Sequence, residues 1–327
     1  MRTGSPMRLL PDHRSAATDQ DGLLRLVRAC LQRPELPPVP SDLGYPGFAA
    51  AAHCAQRLHR PGPTDPNERE RLVAELRTMP RRAAASTHRA VRLPGGWNAD
   101  LAPPEPHLDE SLARALRQIP ERNDGRAVTV HLTDWNDEQR DTVRAAADLL
   151  ASLWPDMLAE MAVSVRQVAV LAGWGIDGFT DFAAHGAIFV NERRLAPDAG
   201  GPPPRLRLAE ALVHEGAHTR CNTAALAAPF LTPDGPASEA LVATPLRADP
   251  RPLSGLFQQV VVLARCVMLY DLVLRDDPSP VPEIPARRDL LLSQGRKGVA
   301  VAQAHRSQLT RAGRDVLDEA AEVIGRA

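Results

Sequence analysis

The 31 prolines of this chain decide where regular structure can run. Proline lacks a backbone N–H and clashes with the preceding helical turn, so helix interiors and central strands exclude it. The densest prolines therefore mark connectors: Arg33 to Pro46 (RPELPPVPSDLGYP), Pro80 to Pro106, and Pro278 to Pro285. Within the second, Pro94-Gly95-Gly96 is a turn signal. Between connectors, Leu23, Leu24, Val27, Cys30 and Leu31 recur at helical spacing, which predicts a helix over 19–32 with Thr18 or Asp19 as its cap. Helical pieces follow at about 47–59 and 65–78, and residues 1–18 read as a frayed terminus.

The pattern changes after Arg126. Ala127 to Leu132 (AVTVHL) is β-like, a long helix follows from Asn136, and Gln167–Leu171 and Ala187–Val190 are short β-rich runs near glycines. Helices are then expected at about 206–227, 237–242 and 253–275. The amphipathic tail, 287–326, reads as two helices hinged at Gly295 or Gly298. Strands before a long helix and helices after it indicate an α+β fold. The division expected is a flexible 1–18, a mainly helical region 19–125, and a catalytic domain 126–327. The helical region reads as a layer packed on the remainder, with a substrate-recognition subdomain as the alternative.

Charge and composition narrow the partners. A net charge of -1 gives no pull toward nucleic acid or an anionic membrane. Met1 to Arg14 has no secretory pattern, and the apolar stretch Val260–Leu274 is broken by Arg265 and is short for a bilayer. Cys30, Cys54, Cys221 and Cys266 are scattered, without the paired spacing of a disulfide framework or a cysteine zinc site. A reducing, cytoplasmic location is expected.

The chemistry is concentrated in LAEALVHEGAHTRCNTAAL, residues 208–226. His214 and His218 stand four residues apart, so on a helix both imidazoles leave one face and suit two cis positions around one first-row metal ion. Glu215 is turned about 100° from His214. There it reaches a metal-bound water without being a ligand. Histidines meeting by accident on a surface are the competing account, but this helix is otherwise apolar, where unpaired imidazoles and a carboxylate are costly to bury. A third ligand is expected downstream. Glu239 stands at a spacing used for a glutamate ligand by one large group of zinc peptidases, and Gln258 lies early in the long helix 253–275.

HEGAH, together with ATPLRADPRPLSGLFQQVVVLARCV at 243–267, resembles the HExxH-motif peptide-modification proteins of ribosomal natural-product pathways. Their pattern continues with a Ser-Pro-Trp-Arg-like turn and an Asp-Pro-Arg-Pro-Leu segment leading into a helix. Thr244-Pro245-Leu246-Arg247 and Asp249-Pro250-Arg251-Pro252-Leu253 stand in those places, and AIFVN at 187–191 fits the same style. The likeness spans about residues 165–275. The resemblance implies a zincin-like metal helix beside a small sheet, and an iron(II)- and 2-oxoglutarate-dependent hydroxylase acting on a side-chain β-carbon of a ribosomal precursor peptide. In it, His214, His218 and Gln258 hold the metal, Glu215 orients a ligand or handles a proton, and Arg247 and Arg251 meet the cosubstrate's far carboxylate. Two positions depart from the pattern. Leu246 replaces a tryptophan, and Gln258 stands where family members tend to show a histidine, a stronger ligand than an amide.

Two other functions compete. One is a zinc metallopeptidase using His214, His218 and Glu239 with Glu215 as general base. The other is a non-catalytic peptide-binding pathway protein with an impaired metal site. Four residues receive structural roles: His185 as an exposed loop histidine, Trp174 in packing, His131 as a satisfied strand histidine, and Cys221 as a buried inert thiol. Oligomeric state is left open.

Overall fold

A computed structural model describes residues 6–59, 67–119, 127–197, 201–232, 241–245, 247–277 and 279–326, without the side chains of 247 and 248. The chain is ordered earlier than its sequence suggests. Met7 and Leu9 are buried in the main core, and Asp12 caps α1 (His13–Leu31) by accepting from the N–H groups of Arg14 and Ser15. Residues 6–18 are thus not frayed, because two apolar side chains anchor the segment before the cap.

The helices α2 (Pro46–Leu58) and α3 (Glu68–Arg89) follow. Pro80 does not end α3, against expectation. The turns on both sides are held, by buried Leu72, Leu76 and Met79 before it and by Arg89, which pairs with Asp100 and Glu105 after it. Tertiary contacts there outweigh the loss of one helical hydrogen bond.

The 91–102 stretch, expected as loop, forms β1 (Val91–Arg92) and β2 (Asn98–Ala102) around a turn with Gly95 at φ 67°. After α4 (Pro106–Arg117) come β3 (His131–Thr133), α5 (Asp137–Leu153) and α6 (Pro155–Ser164). Asn136 and Gln139 form a capping box at the start of α5, which fixes where that helix begins. The sheet is completed by β4 (Gln167–Ala172), β5 (Gly178–Thr180) and β6 (Ala187–Asn191).

Strand order is β1-β2-β4-β6-β5, with β3 also paired to β4. The pairs β2–β4 and β4–β6 are parallel, and β5 runs antiparallel to β6. Since β2 comes from the first third of the chain, that third supplies part of the sheet as well as a helical layer. Alternation along β4 and β6 divides the core: Val168, Val170, Ile188 and Val190 join the main cluster, while Ala169, Leu171 and Phe189 cluster with Leu108 and Leu112 of α4 and with Val130.

Of two long helices, α7 (Pro204–Ala227) lies against β5 and β6 of this sheet, and α8 (Leu253–Asp276) packs on α7. They are joined through a hairpin, β7 (Leu241–Thr244) and β8 (Arg247–Pro252). Asp249–Pro252 is therefore strand. The helix expected at 237–242 is partly outside the described residues, and Leu241 and Val242 open β7. α9 (Glu283–Ala304) runs unbroken through Gly295 and Gly298, and α10 (Arg311–Arg326) follows. Neither glycine is a hinge. A Cβ at Gly295 would sit 2.5 Å from Ile324, and one at Gly298 would sit 3.2 Å from Val260, so both serve close helix packing.

Among the described residues one helix, α8, is long and apolar enough to cross a membrane, longer than the apolar stretch suggested. It is a core helix: 78% of its most apolar window is buried by the rest of the protein. The fold is α+β, mostly helical with a small mixed sheet.

Candidate metal centre

From Leu208 to Ala224 every residue of α7 is buried except three: His214, His218 and Asn222. They are four residues apart and share one face. A stretch of helix buried on every other side thus meets solvent along a single polar strip. The two imidazole rings lie 5.1 Å apart, centroid to centroid, with planes tilted by 58°.

Packing and charge hold the strip in place. A Cβ at Gly216 would come within 2.9 Å of Met161, so glycine lets α7 approach α6 closely. One turn before His214, Glu210 accepts from Tyr270 at 2.7 Å and from Arg287 at 2.5 Å, joining α7 to α8 and α9. Burial pushes the Glu210 carboxyl up, but the Arg287 hydrogen bond and the Arg287 and Arg194 charges outweigh it and hold it below its ordinary range. Two residues after His218, Arg220 donates to Asp19 at 2.7 Å and to Ser15 at 3.0 Å, tying α7 to α1.

Facing the strip from α8 is Gln258. Its Oε1 lies 2.8 Å from His218 Nδ1, and its Nε2 donates to Asn222 Oδ1 at 3.0 Å. The α8 position singled out in the sequence is therefore beside the histidines. Glu215 is buried around the helix, with Oε1 3.9 Å from His214 Nε2. On its other side is β5, the sheet edge. A Cβ at Gly178 would stand 3.0 Å from Glu215 Oε1, so the missing side chain makes room for the carboxylate.

The other expected residues are less well joined to this strip. Arg251, in β8, pairs with Asp249 at 2.7 Å, and its buried Nε has no hydrogen-bond partner among the described residues. Arg247 lies in β8 with its side chain outside the description, and Glu239 lies outside the described residues altogether. No group of three His, Cys, Asp or Glu side chains among the described residues forms a metal cluster. The donors present, two imidazoles one turn apart with a carboxylate alongside, fit two positions of a metal ion and leave the third protein donor unassigned.

His185 corrects an expectation. It is buried, with Nε2 2.9 Å from Oε1 of Gln20, which α1 supplies. Burial lowers its pKa to about 4. His131 is an exposed strand residue with Nδ1 3.1 Å from the Thr129 carbonyl. Arg193 stacks 4.4 Å over the Trp174 ring, a packing role. Cys221 is buried and its thiol is pushed up to about 12, mainly by burial, so it is inert. All four cysteines are free. Sequence reasoning missed Asn222 and Gly178; the first carried a signal, since it continues the four-residue spacing of the histidines. Comparison with protein-family models finds no match, and comparison with curated proteins finds none either.

Proposed function

We propose that this chain is an iron(II)- and 2-oxoglutarate-dependent hydroxylase of a peptide side chain, with His214 and His218 as metal ligands. The observation that carries the reading is the polar strip of α7. A helix buried on its other faces along 208–224 opens to solvent only at His214, His218 and Asn222, and meets Gln258 of α8 there. The resemblance of Asp249–Leu253 to the hydroxylase segment supports the choice of reaction, since β8 leads directly into that helix. When bound, the iron would supply the dioxygen chemistry, and the protein's part is to hold and orient. Arg251, whose buried Nε has no hydrogen-bond partner among the described residues, is the cation proposed for the cosubstrate carboxylate. A ribosomally made precursor peptide, modified in the cytoplasm, is the substrate in this proposal.

Glu215 favours a second reading. A buried carboxylate next to His214 and the sheet edge is also the arrangement of a general base in a zinc peptidase. Anaerobic reconstitution with iron(II), followed by 2-oxoglutarate, separates the two. The hydroxylase develops a weak visible charge-transfer band. A protein that shows no band, retains zinc and cleaves peptides without cosubstrate is the peptidase.

A further inference from the structure

Gln258 faces His218 with an oxygen, and that contact has a direction. The Gln258 amide nitrogen is committed to Asn222 Oδ1 at 3.0 Å, which leaves Oε1 to lie 2.8 Å from His218 Nδ1. With the amide in this orientation its carbonyl oxygen accepts, so Nδ1 carries the proton and donates. In a neutral imidazole the lone pair then sits on Nε2, the other edge of the ring. Gln258 is only part-buried, yet its amide is fixed at both ends.

We infer that Gln258 is a positioning residue, not a metal ligand: with Asn222 it fixes the His218 tautomer so that Nε2 is presented to the metal. This rests on the metal-site reading above. The two ring nitrogens point to opposite edges, so an oxygen bonded to Nδ1 cannot also reach an ion held by Nε2. Histidine ligands commonly donate their second N–H to a carbonyl or carboxylate, which fixes ring orientation and raises basicity. Here an amide does so, and Asn222, one turn beyond His218 on the same strip, holds the amide. The position where the resemblance expects a ligand thus has a different job in this chain.

The test uses the full-length, metal-free protein labelled with 15N at histidine, at a pH of about 8, above the ordinary imidazole range. The His218 signals are assigned by their loss in His218→Gln. The expected result is an Nδ1–H tautomer in the wild type, conversion toward Nε2–H in Gln258→Leu, and retention of Nδ1–H in Gln258→Glu, whose carboxylate accepts the same proton. Iron(II) affinity, measured anaerobically, should fall about 10- to 100-fold in Gln258→Leu and be largely restored in Gln258→Glu. An Nε2–H tautomer in the wild type, or a tautomer unchanged in Gln258→Leu, overturns the inference. A wild type that binds no iron(II) but shows Nδ1–H defeats the metal reading while the orienting contact stands, so the two failures are distinct.

Discussion

Arg265 Nη1 lies 2.5 Å from Glu160 Oε1, with both side chains sealed from solvent. Arg265 stands in the middle of α8, whose length and hydropathy match a membrane span, and Glu160 reaches it from α6. A guanidinium there is tolerable only because its partners are arranged around it. Arg265 Nε also donates to the Leu9 carbonyl at 2.9 Å, and Glu160 accepts from the Asp12 N–H at 2.9 Å and faces Arg220 at 3.7 Å. One carboxylate thus joins the N-terminal segment, α6, α7 and α8.

Removing one member leaves a buried charge without its main partner, which costs about 3–5 kcal/mol. Arg265→Leu is expected to lower unfolding free energy by that amount in urea titration. Arg8, whose side chain is two-thirds exposed in its pair with Glu319, is the control. Arg8→Ala should cost less than about 1 kcal/mol. Equal losses in the two variants would show that burial is not what makes the Arg265 pair matter.

Gly178→Ala tests the placement of Glu215. The added Cβ would meet both Glu215 Oε1 and the Phe189 carbonyl at 3.0 Å, and the carboxylate, as the movable group, must give way. Overpacking of this kind costs about 1–3 kcal/mol. The prediction is a turnover about tenfold or more below wild type with metal stoichiometry unchanged. Full turnover in Gly178→Ala would mean that the position of Glu215 does not matter to the reaction.

His185 sets a pH dependence of stability. Burial keeps its folded pKa at about 4, below the ordinary imidazole range, so the unfolded chain takes up the proton first as pH falls. Stability is then fully present above about pH 6.5 and declines toward pH 4, by about 3 kcal/mol from this residue. His107, also held low chiefly by burial, acts in the same direction. His185→Gln should flatten part of the slope of unfolding free energy against pH between 6.5 and 4. A slope unchanged in that variant would remove His185 from the account.

Much of the candidate site's helix, α7, was legible, and the reason is local. The run 208–226 sets apolar spacing and a four-residue histidine repeat within one element, and α7 and α8 fall within a few residues of their expected bounds. Errors arose where distant contacts overrule local preference. Pro80 sits inside α3 because Arg89 is held by two carboxylates of the 98–105 region. His185 is buried by a helix more than 150 positions away in sequence, at Gln20. Gly295 and Gly298 read as hinges, although glycine equally serves close packing, and only the neighbouring Ile324 and Val260 distinguish the two. The partnership of His218 with Gln258 was visible only as an odd substitution; its direction depends on Asn222.

The most direct test of the central claim is metal stoichiometry in the wild type, His214→Ala and His218→Ala, after anaerobic iron(II) loading and removal of unbound metal. The strip on α7 predicts about one equivalent in the wild type and none retained by either variant, with each variant folded by circular dichroism. Full occupancy in both variants would contradict it and place the metal, and with it the chemistry, elsewhere in the protein.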